Sequence, residues 1–294
     1  MKKLIIITLI IGGLLTFGIS KALTKSAQFS TGNYATADNF MDNLDNFSVV
    51  VKFKTSIVQN GLHQPLVQKG NWYSGTENSW GFYTSPLSSQ NNQYIRFQLF
   101  KDNTGWFNAY DSVHLVNDGE WHCAAGVYDR GNNLIKVYVD GQDNSELDTS
   151  GWQQNHSFSN THSITVGEVI AHTRPYNGLG SEISLWTKTL SISEVQNVCG
   201  SNLGGTETDL ESYWSFYNTL EDLTGNGHNL TQTGTINFVE DVPNAGTPTP
   251  TPTLTPTPTP STASCNIEAK DLIQTKINNL QSELNSLQTL LNSL

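Results

Sequence analysis

The sequence predicts an all-β protein, a sandwich of two antiparallel sheets, to which a spacer and a C-terminal helix are attached. Three observations predict it. Short apolar runs alternate with clusters of Asn, Gly, Asp and Ser every ten residues or so from Ala27 to Val242, the rhythm of strands joined by tight turns. Within the runs every second residue is apolar, so each strand is expected to bury one side only. A helical period interrupts this region only between Ser191 and Cys199.

Composition bounds what such a protein can do. A chain of 294 residues can hold one large β domain with appendages, and 14 % charged residues beside abundant Asn, Ser, Thr and Gly is the make-up of an extracellular β protein. The formal charge is -11, and loss of a leader carrying Lys2, Lys3 and Lys21 takes it to -14. So acidic a surface repels phosphate backbones, and no nucleic-acid partner is expected.

The first element, residues 1–22, has a basic start, an apolar stretch from Leu4 to Ile19, and Ser20 and Ala22 as small residues suited to cleavage. That stretch falls short of the roughly 20 residues a spanning helix needs, and Gly12-Gly13 interrupts it. The segment is expected to be a cleaved export signal, with a membrane anchor as the alternative if it stays uncleaved, so the protein is predicted to be secreted or held at the cell surface. Export permits disulfides, and three cysteines leave at least one thiol unpaired within the chain. Cys123 is either a small buried residue or a partner for Cys199. Cys265, between a flexible spacer and a helix, can pair with its copy in another chain.

The strands follow. Val49, Val51 and Phe53 share a face in SVVVKFK, and Ile95, Phe97 and Leu99 share one in YIRFQLF. From Trp121 to Gly141 two alternating runs flank a polar turn, with Cys123, Ala125 and Val127 on one face of the first and Ile135, Val137 and Val139 on one face of the second. Ile164 with Val166, then Ile183 with Leu185, continue the pattern. In the helix, Ser191 and Glu194 have capping-box spacing, and Ile192, Val195 and Val198 form one stripe.

Trp121 to Gly141, with Asp118-Gly119 before it, resembles the "DG.WH..A..YD......YVDG" hairpin of laminin G-like domains, members of the concanavalin A-like superfold shared with pentraxins. Arg174-Pro175-Tyr176-Asn177-Gly178 and the following GSEISLWTKTLSISEVQNV are similar to that family's closing segment, and YWSF and Asp222 to His228 are similar to its "W.F" and "D.SGNG" elements. The resemblance implies a concanavalin A-like jelly-roll sandwich over residues 27–242, and a domain that binds rather than catalyses.

After Pro243 proline recurs at every second position over much of NAGTPTPTPTLTPTPTPSTAS. Residues 243–264 therefore read as an extended spacer at about 3.1 Å per residue. In the last segment, 265–294, Ile273, Ile277, Leu280, Leu284, Leu287, Leu291 and Leu294 alternate by four and three, a coiled-coil seam. An isolated helix of this length is marginal in water, so a homo-oligomer formed through that seam is expected.

No catalytic residue is assigned, and the protein is read as not an enzyme. Glu146-Leu147-Asp148 is the nearest approach to the paired carboxylates of a glycosidase, but no second Glu follows and the surroundings read as a solvated loop. No zinc-protease pair, nucleophile elbow or phosphate-binding glycine loop occurs. His156 and His162 suit a polar loop better than a metal. Calcium is the one cofactor considered, because hard cations take loop oxygens and the resembled families often hold one. Asp222, Gly225 and Asn226 form one candidate loop, and Asp38 and Asp42, with Asp45, the other; ordinary turn chemistry accounts for both equally. Sugar binding needs aromatic faces and amides, and Trp72, Tyr73, Trp80, Trp152 and Tyr176 lie in Asn-, Gln- and Ser-rich stretches. Trp121, Trp186 and Trp214, within strand-like runs, are expected to be structural. The reading that results is an exported, lectin-like binder of a glycan or cell-surface ligand, multimerised for avidity. The alternative is a structural or adhesive protein whose domain recognises protein, with a glycoside hydrolase third.

Overall fold

The computed structural model describes residues 25–56, 62–70, 78–86, 92–101, 105–148, 159–169 and 174–243. The export signal, the spacer beyond Pro243 and the coiled-coil seam lie outside the described residues. Among those described, no helix is long and apolar enough to cross a membrane.

The strands are β1 (Ser26–Phe29), β2 (Tyr34–Thr36), β3 (Asn46–Lys54), β4 (Gln64–Lys69), β5 (Ser79–Pro86), β6 (Gln93–Lys101), β7 (Gly105–Asp111) and β8 (Trp121–Asp129). They continue as β9 (Leu134–Val139), β10 (Gln142–Asp143), β11 (Ser145–Asp148), β12 (Ile164–Val166), β13 (Gly178–Trp186), β14 (Leu210–Trp214), β15 (Thr231–Thr233) and β16 (Asn237–Val239), with helix α1 (Ile192–Gly200) between β13 and β14. Two antiparallel sheets result. The first runs β10-β9-β8-β3-β13-β1-β16, with β14 also paired to β13; the second runs β11-β7-β6-β5-β4-β12-β2-β15. This is the expected jelly-roll sandwich.

The alternating pattern builds the layer between the sheets. Val49, Val51 and Phe53 of β3 and Ile135, Val137 and Val139 of β9 meet Phe82, Phe97, Leu99 and Phe107 from the second sheet in one buried cluster with Trp214. Burying one such side chain is worth about 1.5–3 kcal/mol, so this layer is the main source of stability.

One expectation is corrected. β8 is buried on both sides rather than on one: Cys123, Ala125 and Val127 share a buried face as expected, but on the outer side of the first sheet, in a second cluster with Val50, Trp186, Tyr213 and the α1 residues Val195 and Val198. It is Ala124 and Tyr128 that enter the main core. The strand is buried on both faces because α1 covers the outer one. Its start is fixed as expected: the Ser191 hydroxyl accepts from the Glu194 backbone N–H, and the Glu194 carboxylate accepts from the Ser191 N–H at 2.8 Å. Ile192, the third residue of the expected stripe, is exposed. Cys123 is bonded to Cys199, which pins α1 to β8 and decides between the two readings of Cys123.

At the rim of this sheet His122 bridges Asp140 at 2.9 Å and Asp118 at 3.1 Å. Burial lowers its pKa, but the hydrogen bonds and charges of the two carboxylates outweigh burial and leave it above the ordinary value of 6.5. A histidine raised on folding contributes stability that is fully present below 6.5 and lost as pH climbs through the higher folded value. Denaturant titrations from pH 5.5 to 8.5 should therefore show a decline that His122→Gln flattens. An unchanged slope in the variant would remove His122 as its cause.

Candidate functional site

Alternation that sends Phe82, Phe97 and Phe107 inward sends their neighbours to the outer face of the second sheet. Register aligns these into rows across the strands. Thr165 opposes Gln68, Gln68 opposes Gly81, Gly81 opposes Gln98 and Gln98 opposes Asn108. In the adjacent row Tyr83 opposes Arg96, Arg96 opposes Tyr110, and Tyr110 opposes Glu146. The face thus carries three amides in line, flanked by tyrosines and an arginine.

Gln68 and Asn108 are buried, and Gln98 is 9 % exposed. Neither the Gln68 Oε1 and Nε2 nor the Asn108 Oδ1 has a hydrogen-bond partner among the described residues. A buried polar group without a partner costs about 1–3 kcal/mol, so these atoms do not add to the stability of the sheet. Gly81 interrupts the row because the Tyr83 ring lies back over it: a Cβ there would stand 1.7 Å from the Tyr83 hydroxyl oxygen. Tyr94, Arg96, Phe100 and Tyr110 are partly exposed. The Arg96 guanidinium sits 5.8 Å from the centre of the Tyr110 ring. At the end of the face His63 accepts or donates one hydrogen bond with Ser85 at 2.7 Å and lies 6.4 Å, ring to ring, from Tyr83. Burial, then the charges of Arg96 and Arg174, push its pKa down to about 4, so the ring is neutral at physiological pH.

Concavities elsewhere have spent their chemistry. One of about 470 Å³ beside α1 is lined by Lys52, Trp121, His122, Asp140 and Gln196. There Lys52 pairs with Glu182, Trp121 donates to Asp241, His122 bridges two aspartates, and Gln196 donates to the Gly141 carbonyl. Another of about 530 Å³ lies between β1 and the Asn177 turn. Its Lys54 pairs with Asp241.

The structure redistributes the residues expected to bind. Trp80 is 1 % exposed and packs on Phe47 in the sandwich core, because it shares the inward parity of Phe82. Tyr176 is also buried, donating through its hydroxyl toward the Lys54 and Leu179 carbonyls. Neither can present a ring to a ligand, which corrects both assignments. Trp72, Tyr73 and Trp152 lie outside the described residues. Trp186 and Trp214 are buried as expected, and Trp121 donates to Asp241 at 2.8 Å.

In the two candidate calcium loops the carboxylates are held by protein groups. Asp222 Oδ1 accepts from the backbone N–H groups of Tyr213 and Thr224, and its Oδ2 from that of His228. The Thr224 hydroxyl lies 2.8 Å from each oxygen. Gly225 and Gly227 adopt positive φ to close this turn, and Asn226 Nδ2 donates to the Glu211 carbonyl. In the other loop the buried Lys69 ammonium stands where a cation would, 2.7 Å from Asp42 and 2.5 Å from Asn39 Oδ1. Asp38 is held by His228 at 2.9 Å, and Asp45 by Arg130. Among the described residues no group of three His, Cys, Asp or Glu side chains is placed to hold a metal. Glu146 and Asp148 lie on the edge strand β11 rather than in a loop, and Glu146 is hydrogen-bonded to the Ser112 hydroxyl.

The missed residues carried a signal. Once Ile95, Phe97 and Leu99 are assigned inward, Tyr94, Arg96, Gln98 and Phe100 must face out. That they line up with Gln68 and Asn108 depends on register between strands distant in sequence.

A two-sheet jelly roll with a polar outer face defines a protein of concanavalin A-like type. The chain belongs to the concanavalin A-like lectin/glucanases superfamily, whose laminin G model matches residues 29–196. Among solved structures it is similar to a putative carbohydrate binding protein from Bacteroides ovatus, with a TM-score of 0.56 and 15 % identity over 75 % of this chain. The match spans 61 % of that protein's length. It is also similar to a heptameric SAP-like pentraxin from Limulus polyphemus, with a TM-score of 0.52 and 11 % identity over 74 % of this chain and 96 % of the other. At these identities the likeness is one of fold. No curated protein matches the chain.

Proposed function

We propose that this is an exported, non-catalytic carbohydrate-binding protein whose ligand lies on the outer face of the second sheet. The observation that carries the reading is the partly exposed aromatic residues Tyr94, Phe100 and Tyr110 on that face, beside Gln98 and the amide row to which it belongs. Sugar hydroxyls both donate and accept, so they satisfy amides in pairs, and aromatic faces receive the apolar side of a pyranose. The fold shared with the Bacteroides ovatus protein and membership of the superfamily support the reading. The Cys123–Cys199 bond fits export, since disulfides persist in oxidising compartments. The spacer over 243–264 and the helix over 265–294 would then display and multimerise a weak binder, raising avidity without new contacts.

A glycan array probed with the full chain tests this. Gln98→Ala and Tyr110→Ala should each weaken the strongest interaction by about tenfold, the worth of one to two hydrogen bonds or one stacked ring. Removal of divalent ions with a chelator should leave binding unchanged, because Asp222 and Asp42 are already satisfied by protein donors. Binding that survives both substitutions would place the ligand elsewhere. Selective binding of a protein with no response to any glycan would favour the adhesive reading.

A further inference from the structure

Lys69 is 1 % exposed and holds an inward position. As the last residue of β4 it opposes Trp80 on one side and Ile164 on the other, both core residues, so its stem points into the layer between the sheets. Its Nζ ends beneath the loop that follows β2. There it lies 2.5 Å from Asn39 Oδ1, 2.6 Å from the Phe40 carbonyl and 2.7 Å from the Asp42 carboxylate.

The loop is fixed over this point from several sides. The Ala37 N–H donates to the Ile164 carbonyl at 2.9 Å, and the Ile164 N–H to the Asp38 carbonyl at 3.3 Å. The Phe40 ring stacks on His228 with centroids 3.7 Å apart, and Asp42 accepts a further hydrogen bond from the Asn160 N–H at 3.2 Å. Met41 and Asn43 adopt φ of 60° and 55°, and this winding carries the Asn39 amide and the Asp42 carboxylate to the same amine.

A primary amine that touches both a carboxamide and a carboxylate has at hand an electrophile and a proton carrier. A carboxamide is a poor electrophile toward an amine in solution, but a contact held by the fold replaces a rare encounter with a standing one. Attack also needs the amine neutral. Burial, the largest influence, lowers the Lys69 pKa from the ordinary 10.5 against the opposing pull of Asp42 and Asp38.

We propose that Lys69 and Asn39 join in an intramolecular isopeptide bond, with Asp42 as the catalytic proton carrier. The ammonium gives one proton to Asp42, and the Nζ lone pair then forms a bond to Asn39 Cγ. Asp42 relays protons from Nζ to Nδ2, the Cγ–Nδ2 bond breaks, and ammonia departs with the proton that the lysine brought. The ammonium and the carboxamide thus become a secondary amide and one ammonium ion, with no oxidant and no co-reactant. The bond ties the loop after β2 to β4 and, unlike the Cys123–Cys199 bond, survives reduction.

The test is the mass of the full chain, read by intact mass spectrometry with peptide mapping. Wild-type protein should weigh less than its sequence, counted from its own N-terminus, by one ammonia. Digestion should yield a branched peptide joining the segments that carry Asn39 and Lys69. Asn39→Ala, Lys69→Met and Asp42→Ala should each keep the full mass of their own sequence and give no branched peptide. Thermal melting confirms that each variant is folded, and Asn39, exposed at the surface, serves if the buried Lys69 does not tolerate replacement. Folded wild-type protein that keeps its full mass, fresh and after prolonged incubation, overturns the inference. So does loss of ammonia without a branched peptide, as from succinimide formation elsewhere in the chain, and so does loss of water with Lys69 joined to Asp42. A branched peptide that persists in Asp42→Ala overturns the relay assigned to Asp42.

Discussion

Replacing Glu182 with leucine is expected to lower stability by about 3–5 kcal/mol, because it leaves a lysine buried without its counter-charge. Lys52 Nζ lies 3.0 Å from Glu182 Oε1 and 2.7 Å from the Ser201 carbonyl, and the two side chains are 7 % and 5 % exposed. The Tyr213 hydroxyl donates to the second carboxylate oxygen at 3.0 Å. Burial pushes the Glu182 carboxyl above its ordinary value, against the pull of Lys52 and Tyr213, which shows how strongly desolvation opposes the pair. The pair as a whole is therefore not a large net stabiliser. Lys52→Met combined with Glu182→Leu should recover most of the loss, short of the cost of the unpartnered Tyr213 hydroxyl. Denaturant midpoints of the wild type, both single variants and the double variant decide this. Additive losses would mean that the two groups act independently and would sink the argument.

Removing the Cys123–Cys199 bond as Cys123→Ala with Cys199→Ala should cost about 2–4 kcal/mol, with most of the effect in the unfolded chain. The bond closes a loop of sequence separation 76, long enough for the entropy restored to the unfolded state to be near the upper end of that range. It also fastens α1 to β8 over a small apolar cluster that includes Val127, Val195 and Val198. Urea unfolding under oxidising and reducing conditions should reproduce the difference between wild type and variant. A reductant that leaves the wild-type midpoint unmoved would contradict it. The proposed binding face lies on the other sheet, so any glycan binding by the folded variant should persist.

How much of this was legible before the chain was folded differs from element to element. Val49, Val51 and Phe53 announce a core face by alternation alone, and they occupy it. Ser191 and Glu194 announce a helix start and form it, because both partners are three residues apart and need no tertiary help. Cys123, Ala125 and Val127 share a buried face as alternation implies, but that both sides of β8 are buried was not legible, since alternation separates two faces of a strand without saying which one a helix will cover. Trp80 and Tyr176 read as loop aromatics from their polar neighbours, yet parity with Phe82 and the hydroxyl acceptors of Tyr176 bury them. Asp42 reads along the chain as a candidate cation ligand, and its pairing with the buried Lys69 is a tertiary contact that local spacing does not announce.

By itself the sequence determined what depends on local spacing: an all-β sandwich, the capped helix that begins after Ser191, its family, and the acidic character of the chain. Only the tertiary structure decided which polar residues stand together. Gln68, Gln98 and Asn108 become one row through hydrogen-bond register between strands distant along the chain. Register is fixed by the whole packed sheet rather than by any single strand, which is why the scaffold could be read along the chain and the site could not.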